Sequence, residues 1–378
     1  MTTLPNQPVW ELEADPGLLE PGPGALDRRP DVLVVGGGVV GLATAALCRR
    51  AGLGRVEVVE RGRLAGGPSG RGGGILAPAP LQWTDPASLV SFGRASLDLW
   101  RELDREWEGE LGLAPLDWLL TLPGGEAPGF DPPPGAELLG PEDARKLEPR
   151  LEPGSGGLLL RDQARVHPLR LAAALARRAG TVVTGVEVTG IERTAAGRPR
   201  VRTNRGDLDP GAVVLATGTA PPLPGVPPAA GQRLVKGNLV ATAPAPFRLR
   251  VGVAGRGGLV FQLPDGRLVF GNTFDPLDAS PEARPEVVEA TRADLGAVVP
   301  DAAGLPLSHA WCCFRPATAD GLPLIDRLEA LGDVWVSCGH FHTGFLVAAA
   351  GGRALAGWIA SGAPPPAVAP FAAGRYRS

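Results

Sequence analysis

Apolar positions recur along this chain in two periods, and the period predicts the element at each place. Residues 31–35, Asp31 followed by four apolar residues, predict a short buried strand, residues 40–51 an apolar helix, and residues 55–60 a second strand. Gly36, Gly37 and Gly38 occupy the turn between the first strand and the helix. Residues 87–110 carry Leu89, Phe92, Ala95, Leu99 and Leu103 at helical spacing, and residues 169–179 predict another helix. Strands follow at 181–192, 198–203 and 212–216, with a turn signal at Arg205-Gly206-Asp207, and these are expected to share one sheet. A second strand cluster covers 235–242, 259–263 and 268–272, the last two joined by the hairpin dipeptide Asp265-Gly266. Residues 286–299 predict a helix and 333–337 a strand. A Gly/His turn at 339–344 then opens a helix over 345–359 that ends near Gly362, ahead of Pro364-Pro365-Pro366.

Two stretches follow neither period. Residues 1–30 read as a loose N-terminal arm, without the basic start and apolar centre of a secretory signal, so a cytoplasmic location is expected. Residues 120–141 are rich in Pro and Gly and suit connections between subdomains. No apolar run reaches the ~18 residues of a membrane span. The longest, 32–48, is interrupted by four glycines.

Composition narrows the function. A chain of 378 residues has room for about two to three domains. Hydrophobic residues at 44% and charged residues at 20% are ordinary globular values. With 37 basic against 40 acidic residues the net charge is -3, so no global positive field exists to attract nucleic acid. Cys48, Cys312, Cys313, Cys338 and four histidines form no metal-ligand spacing, so neither a metal site nor a disulfide framework is expected.

The chemistry begins at Gly36-x-Gly38-x-x-Gly41, which follows an apolar strand and opens a helix, with Glu60 closing the next strand nineteen residues later. That context marks a dinucleotide site: the glycines let a pyrophosphate approach the helix N-terminus, and the carboxylate accepts ribose hydroxyls. Three further segments accompany it: Gly66-Gly67-Pro68-Ser69-Gly70-Arg71-Gly72-Gly73-Gly74-Ile75-Leu76, Leu215-Ala216-Thr217-Gly218, and Cys313-Phe314-Arg315-Pro316-Ala317-Thr318-Ala319-Asp320 leading to Cys338-Gly339-His340-Phe341-His342-Thr343-Gly344.

Together these motifs resemble the D-amino-acid oxidase superfamily of FAD enzymes, in the branch holding glycine oxidase, sarcosine oxidase and D-amino acid dehydrogenase, from Asp31 to about Gly362. Gly74-Ile75-Leu76-Ala77-Pro78 and Gly339-His340-Phe341 most resemble glycine oxidases of the thiamine-pathway type. The resemblance implies an α/β (α+β) fold. A discontinuous Rossmann-like FAD-binding domain would cover 31–80, 150–220 and 315–362, and a substrate domain on an antiparallel sheet would cover 81–149 and 221–314, between the arm and a tail at 363–378. It implies that FAD is held by Gly36, Gly38, Val39, Gly41, Glu60, Arg61, Ser69, Arg71, Gly73, Gly74 and Ile75. Val188 would flank the adenine, and Ala216, Thr217, Gly218, Arg315, Gly339, His340, Phe341, His342, Thr343 and Gly344 would complete the site. The last helix start has its own physics, since its N–H groups favour the negative charge of a reduced flavin.

Arg315 matches the family arginine that pairs with a substrate carboxylate, a task suited to a planar fork that stays charged. Phe261 falls where glycine oxidases carry a tyrosine, and His342 where they carry an arginine; both changes remove polar contacts. His340 and His342 are candidates to tune the flavin or touch substrate, with a hydrogen-bonded structural role as the alternative. Cys313 precedes Asp320 by seven residues, the spacing at which sarcosine oxidases attach flavin, while the Arg-Pro that follows resembles non-covalent relatives. The implied reaction oxidises glycine, sarcosine or a D-amino acid to the imine by hydride transfer to flavin, with oxygen accepting the electrons and giving hydrogen peroxide. A D-amino acid dehydrogenase with a quinone acceptor and an FAD-binding subunit of a heteromeric complex stay open, as does assembly into a homo-oligomer.

Overall fold

The computed structural model describes residues 4–376 apart from 14, 15, 21, 23, 81–84, 123–131, 133, 134, 222, 225–231, 256 and 272. Half of the predicted connection at 120–141 and the end of the predicted strand at 268–272 lie outside those residues. Two sheets carry the molecule. In the first, six strands run in the order Leu324–Arg327, Val334–Cys338, Ala212–Leu215, Val32–Val35, Val56–Glu60, Thr181–Thr184, and every neighbouring pair is parallel except the first. Val32–Val35 is central and all four side chains are buried, which is why it reads as a continuous apolar run instead of alternating. Helices Val39–Arg50, Pro168–Arg178 and Gly344–Ser361 cover one face. A two-stranded hairpin of Val188–Arg193 and Pro199–Thr203 covers the other, packing Val188, Ile191 and Val201 on Leu33, Val35 and Leu215.

This arrangement corrects the expectation of one sheet for 181–216. The predicted strand at 181–192 breaks at Gly185, whose φ of +70° turns the chain. Thr181–Thr184 completes the parallel sheet and Val188–Arg193 leaves it.

The second sheet has eight strands in the order Leu307–Ala317, Arg233–Pro244, Arg267–Gly271, Gly258–Gln262, Gly252–Gly255, Trp118–Leu122, Gly156–Leu160, Glu137–Leu139. All its pairs are antiparallel except Gly252–Gly255 with Trp118–Leu122. Helix Pro285–Val298 packs Val288, Leu295 and Val298 against one face. The strand Leu307–Ala317 runs eleven residues and pairs with Arg233–Pro244 along its length, placing Arg315 opposite Val235. Its apolar pattern is broken by His309 and Arg315, so periodicity does not reveal it.

The N-terminal arm is not loose. Val9, Trp10 and Leu19 are buried, and the Trp10 ring meets the Trp311 ring edge-on at 5.0 Å. The segment after Gly362 also returns to the body, where Phe371 packs on Phe92. Among the described residues one helix, Gly344–Ser361, matches a membrane span in length and hydropathy, and 67% of it is buried inside the protein. The four cysteines are free and buried, and no His/Cys/Asp/Glu cluster fit for a metal occurs among the described residues.

Candidate active site

A cavity of about 840 Å³ runs from the first sheet to the second. Its nucleotide end is built where Val32–Val35 stops. Gly36 takes φ +116°, and a Cβ there would stand 2.3 Å from the Ala216 carbonyl oxygen, so the turn admits only glycine. Helix Val39–Arg50 starts at Gly38 with no capping side chain of its own. Its first N–H, at Val39, instead donates to Ser69 Oγ at 2.9 Å, tying the glycine-rich loop to the helix start. Glu60 closes the second strand with both oxygens engaged, Oε2 accepting from the Gly37 N–H and Oε1 from the Gly62 N–H, each at 2.8 Å. Those bonds hold the carboxylate on the cavity wall beside the glycine turn.

The far end is formed by the second sheet. The Arg315 side chain is buried, its Nη1 donates to the Thr273 carbonyl at 2.8 Å, and its guanidinium lies 4.6 Å from the centre of the Phe274 ring. Burial pulls its pKa down, from a value so high that the group stays charged. It crosses Gly237, where a Cβ would come within 2.4 Å of the guanidinium nitrogens. Phe261, Leu239, Leu259, Val269 and Trp118 make the remaining wall apolar, and the buried Trp118 Nε1 has no hydrogen-bond partner.

Between the two ends lies the turn at residues 339–344, set between strand Val334–Cys338 and helix Gly344–Ser361. Phe341 holds φ +47°, a strained value for a residue with a Cβ. His340 is buried, with Nε2 at 3.1 Å from Ser337 Oγ and Nδ1 unpartnered. Burial lowers its pKa to about 4, so the ring is neutral near pH 7. His342 lines the cavity, 3.6 Å from Asp85 and packed on Phe341 and Phe274. Cys313 also lines the cavity, and burial pushes its thiol up to about 11, which leaves it protonated.

Of the residues singled out from sequence, Gly36, Gly38, Val39, Glu60, Arg61, Ser69, Gly73, Gly74, Ile75, Ala216, Thr217, Gly218, Phe261, Arg315 and the six from Gly339 to Gly344 line this one cavity. Gly41, Arg71 and Val188 do not. A Cβ at Gly41 would stand 2.0 Å from the Gly36 oxygen, so it serves close packing of the helix on the turn. Arg71 turns away and donates to the Cys312 and Asn6 carbonyls. Val188 is drawn into the apolar layer under the first sheet. Asp320 is also structural. Although burial raises its pKa, hydrogen bonds from Arg375, Leu322, Thr318 and Tyr376 hold it at about 2. Thr273, Phe274, Gly237 and Trp118 were not identified from sequence. Only Gly237, a glycine inside a strand pattern, carries a local signal of close approach.

The donor set suits a dinucleotide joined to a planar ring: a glycine turn at a helix start, a carboxylate fixed by backbone, a glycine-rich loop, and a neutral buried imidazole with an unused nitrogen. Comparison with known proteins agrees. Residues 31–358 match the DAO family, described as FAD dependent oxidoreductase. The chain is 29% identical to a glycine oxidase of Pseudomonas aeruginosa over 91% of its own length and 99% of the relative's. It is 30% identical to the sarcosine oxidase subunit beta of Rhizobium meliloti over 93% and 89% of the two chains. The crystal structure of glycine oxidase from Geobacillus kaustophilus superposes with a TM-score of 0.79 at 25% identity, covering 93% of this chain and all of that one.

Proposed function

The chain belongs to the DAO family of FAD dependent oxidoreductases, and from that premise we propose that it oxidises a small amino acid or N-methyl amino acid to the imine, with oxygen as acceptor. One observation carries the reading. A single cavity has the glycine turn and Glu60 at one end and the buried Arg315 guanidinium at the other.

In this reading Gly36, Gly38, Val39 and Glu60 hold the nucleotide half of FAD. Ser69, Gly73, Gly74, Ile75 and residues 339–344 hold its ring, and the raised pKa of the buried Cys313 thiol disfavours a covalent link through it. FAD bound there would supply the hydride acceptor and the route of the electrons to oxygen, with hydrogen peroxide as the product. The protein's part is placement. Arg315, fixed by Thr273 and stacked on Phe274, binds the substrate carboxylate as a planar fork and so orients the α-carbon. The neutral His340 adds no positive charge beside the ring, and the positive end of helix Gly344–Ser361 favours negative charge there. The apolar wall of Phe261, Leu239, Leu259 and Val269 excludes water and leaves the amine neutral, ready to release hydride without a side-chain base. Water then hydrolyses the released imine to the oxo acid and ammonia or an amine. Glycine, sarcosine, D-alanine and D-proline fit this description.

A second reading, the flavin-bearing subunit of a heteromeric enzyme, is favoured by the likeness to a sarcosine oxidase subunit beta and by the exposure of Phe274 and Leu277 on the loop beside Arg315. Arg315→Ala separates substrate binding from cofactor binding. The variant is expected to keep its yellow flavin and to raise KM at least about 100-fold, the loss of a charged hydrogen-bonded contact. Unchanged KM with every carboxylated substrate would remove Arg315 from the site.

A further inference from the structure

We propose that the N-terminal segment, residues 4–13 and 16–20, is a clasp that fixes the glycine-rich cofactor loop from behind and thereby sets how tightly FAD is held. The proposal rests on the reading of the cavity as the FAD site, and the segment precedes the stretch 31–358 that carries the family match.

The loop has reason to need a clasp. Between Gly66 and Gly74 it contains six glycines, so its backbone has more freedom to lose than the same length of other residues. Its front lines the cavity through Gly66, Gly67, Pro68, Ser69 and Gly72. Its back is held by the segment. The buried Trp10 indole donates to the Gly70 carbonyl at 2.7 Å, Glu11 pairs with Arg63, and the Leu64 N–H donates to the Leu19 carbonyl at 2.9 Å.

The same segment grips the substrate sheet. Trp10 packs edge-on against Trp311, whose own indole donates to the Arg71 carbonyl at 2.9 Å. The Ala310 N–H donates to the Pro5 carbonyl at 3.3 Å. Asn6 Nδ2 donates to the Pro281 carbonyl at 2.9 Å, while the Asn6 carbonyl accepts from Arg71 Nη2 at 3.0 Å. Arg71 Nε reaches the Cys312 carbonyl at 2.7 Å. Arg71 therefore acts in the clasp as a positioning residue and does not itself meet the cofactor. Loop, segment and the strand bearing Arg315 form one hydrogen-bonded unit. A loop held in its binding conformation beforehand loses less freedom when FAD enters, so its affinity is higher.

The test titrates apoprotein with FAD, following flavin fluorescence, for wild type, Trp10→Ala and Trp10→Phe. Phenylalanine keeps an aromatic ring for Trp311 to pack on, while removing the N–H donor to Gly70 together with part of the indole's volume. The clasp predicts an FAD Kd raised about tenfold in Trp10→Ala and about threefold in Trp10→Phe, with turnover per bound flavin unchanged. An FAD Kd equal to wild type in the folded variants overturns the proposal, whatever happens to their thermal stability. Should Trp10→Ala fail to fold, Trp10→Phe decides alone. Wild-type apoprotein that takes up no FAD would instead defeat the reading of the cavity.

Discussion

A methyl group on residue 237 would need the space that the Arg315 guanidinium fills, since the Cβ position lies 2.4 Å from both Nη atoms. Two residues 78 apart in sequence are thus one functional unit, the glycine clearing the path and the arginine crossing it. Gly237→Ala is expected to displace the fork from Thr273 and raise KM about tenfold while leaving FAD affinity at the wild-type value, checked by steady-state kinetics beside a flavin titration. An unchanged KM would mean that the guanidinium has another route into the cavity. At this scale the sequence was readable at Gly36, Glu60, Arg315 and His340, which motifs name and which all line one cavity. It was unreadable where a role depends on what crosses a residue in space. Gly237 sits in an apolar run with nothing local to name its partner, and Arg71 reads like its glycine neighbours although its side chain points to the opposite side.

Among the elements, the loop at 273–284 decides how Arg315 is presented, and one buried lysine holds it. Lys236 is fully buried, and its ammonium donates to Asp278 at 2.8 Å, Ser280 Oγ at 2.7 Å and the Glu282 carbonyl at 2.6 Å, using all three protons. The hydrogen bond from Lys236 holds the Asp278 carboxyl well below its usual range. Because Thr273 and Phe274 begin this loop and touch the guanidinium, Lys236→Met is expected to lower the Tm by roughly 5 °C and to raise KM more than it changes kcat. A loss of stability with unaltered KM would make the lysine purely structural. The parallel strands were legible as elements because burial on both faces writes a continuous apolar run. Leu307–Ala317 was not, because His309 and Arg315 interrupt its apolar run. The split of 181–192 depends on one glycine with φ +70°, which looks the same in sequence as a glycine inside a strand.

Across the whole molecule, the function arises at the meeting of two sheets of different kind. The parallel sheet ends in glycine turns that suit a nucleotide, and the antiparallel sheet contributes a cation on an apolar wall. That a nucleotide fold and an antiparallel sheet would meet was legible through the family resemblance, because the motifs are ordered along the chain. How the N-terminal arm joins them was not: Trp10 and Leu18-Leu19 read as able to pack on the body or on a neighbouring subunit, but a stretch with neither helical nor strand periodicity does not say where, and Trp10 ends up buried. The central claim, that this cavity brings an amine bearing a carboxylate to FAD, is tested most directly by an anaerobic absorption spectrum of the purified protein. The spectrum is titrated in turn with glycine, sarcosine, D-alanine and D-proline, and air is then admitted. The account predicts a yellow flavin band that at least one of them bleaches and that oxygen restores, with hydrogen peroxide formed. A flavin band that none of the four bleaches would contradict it.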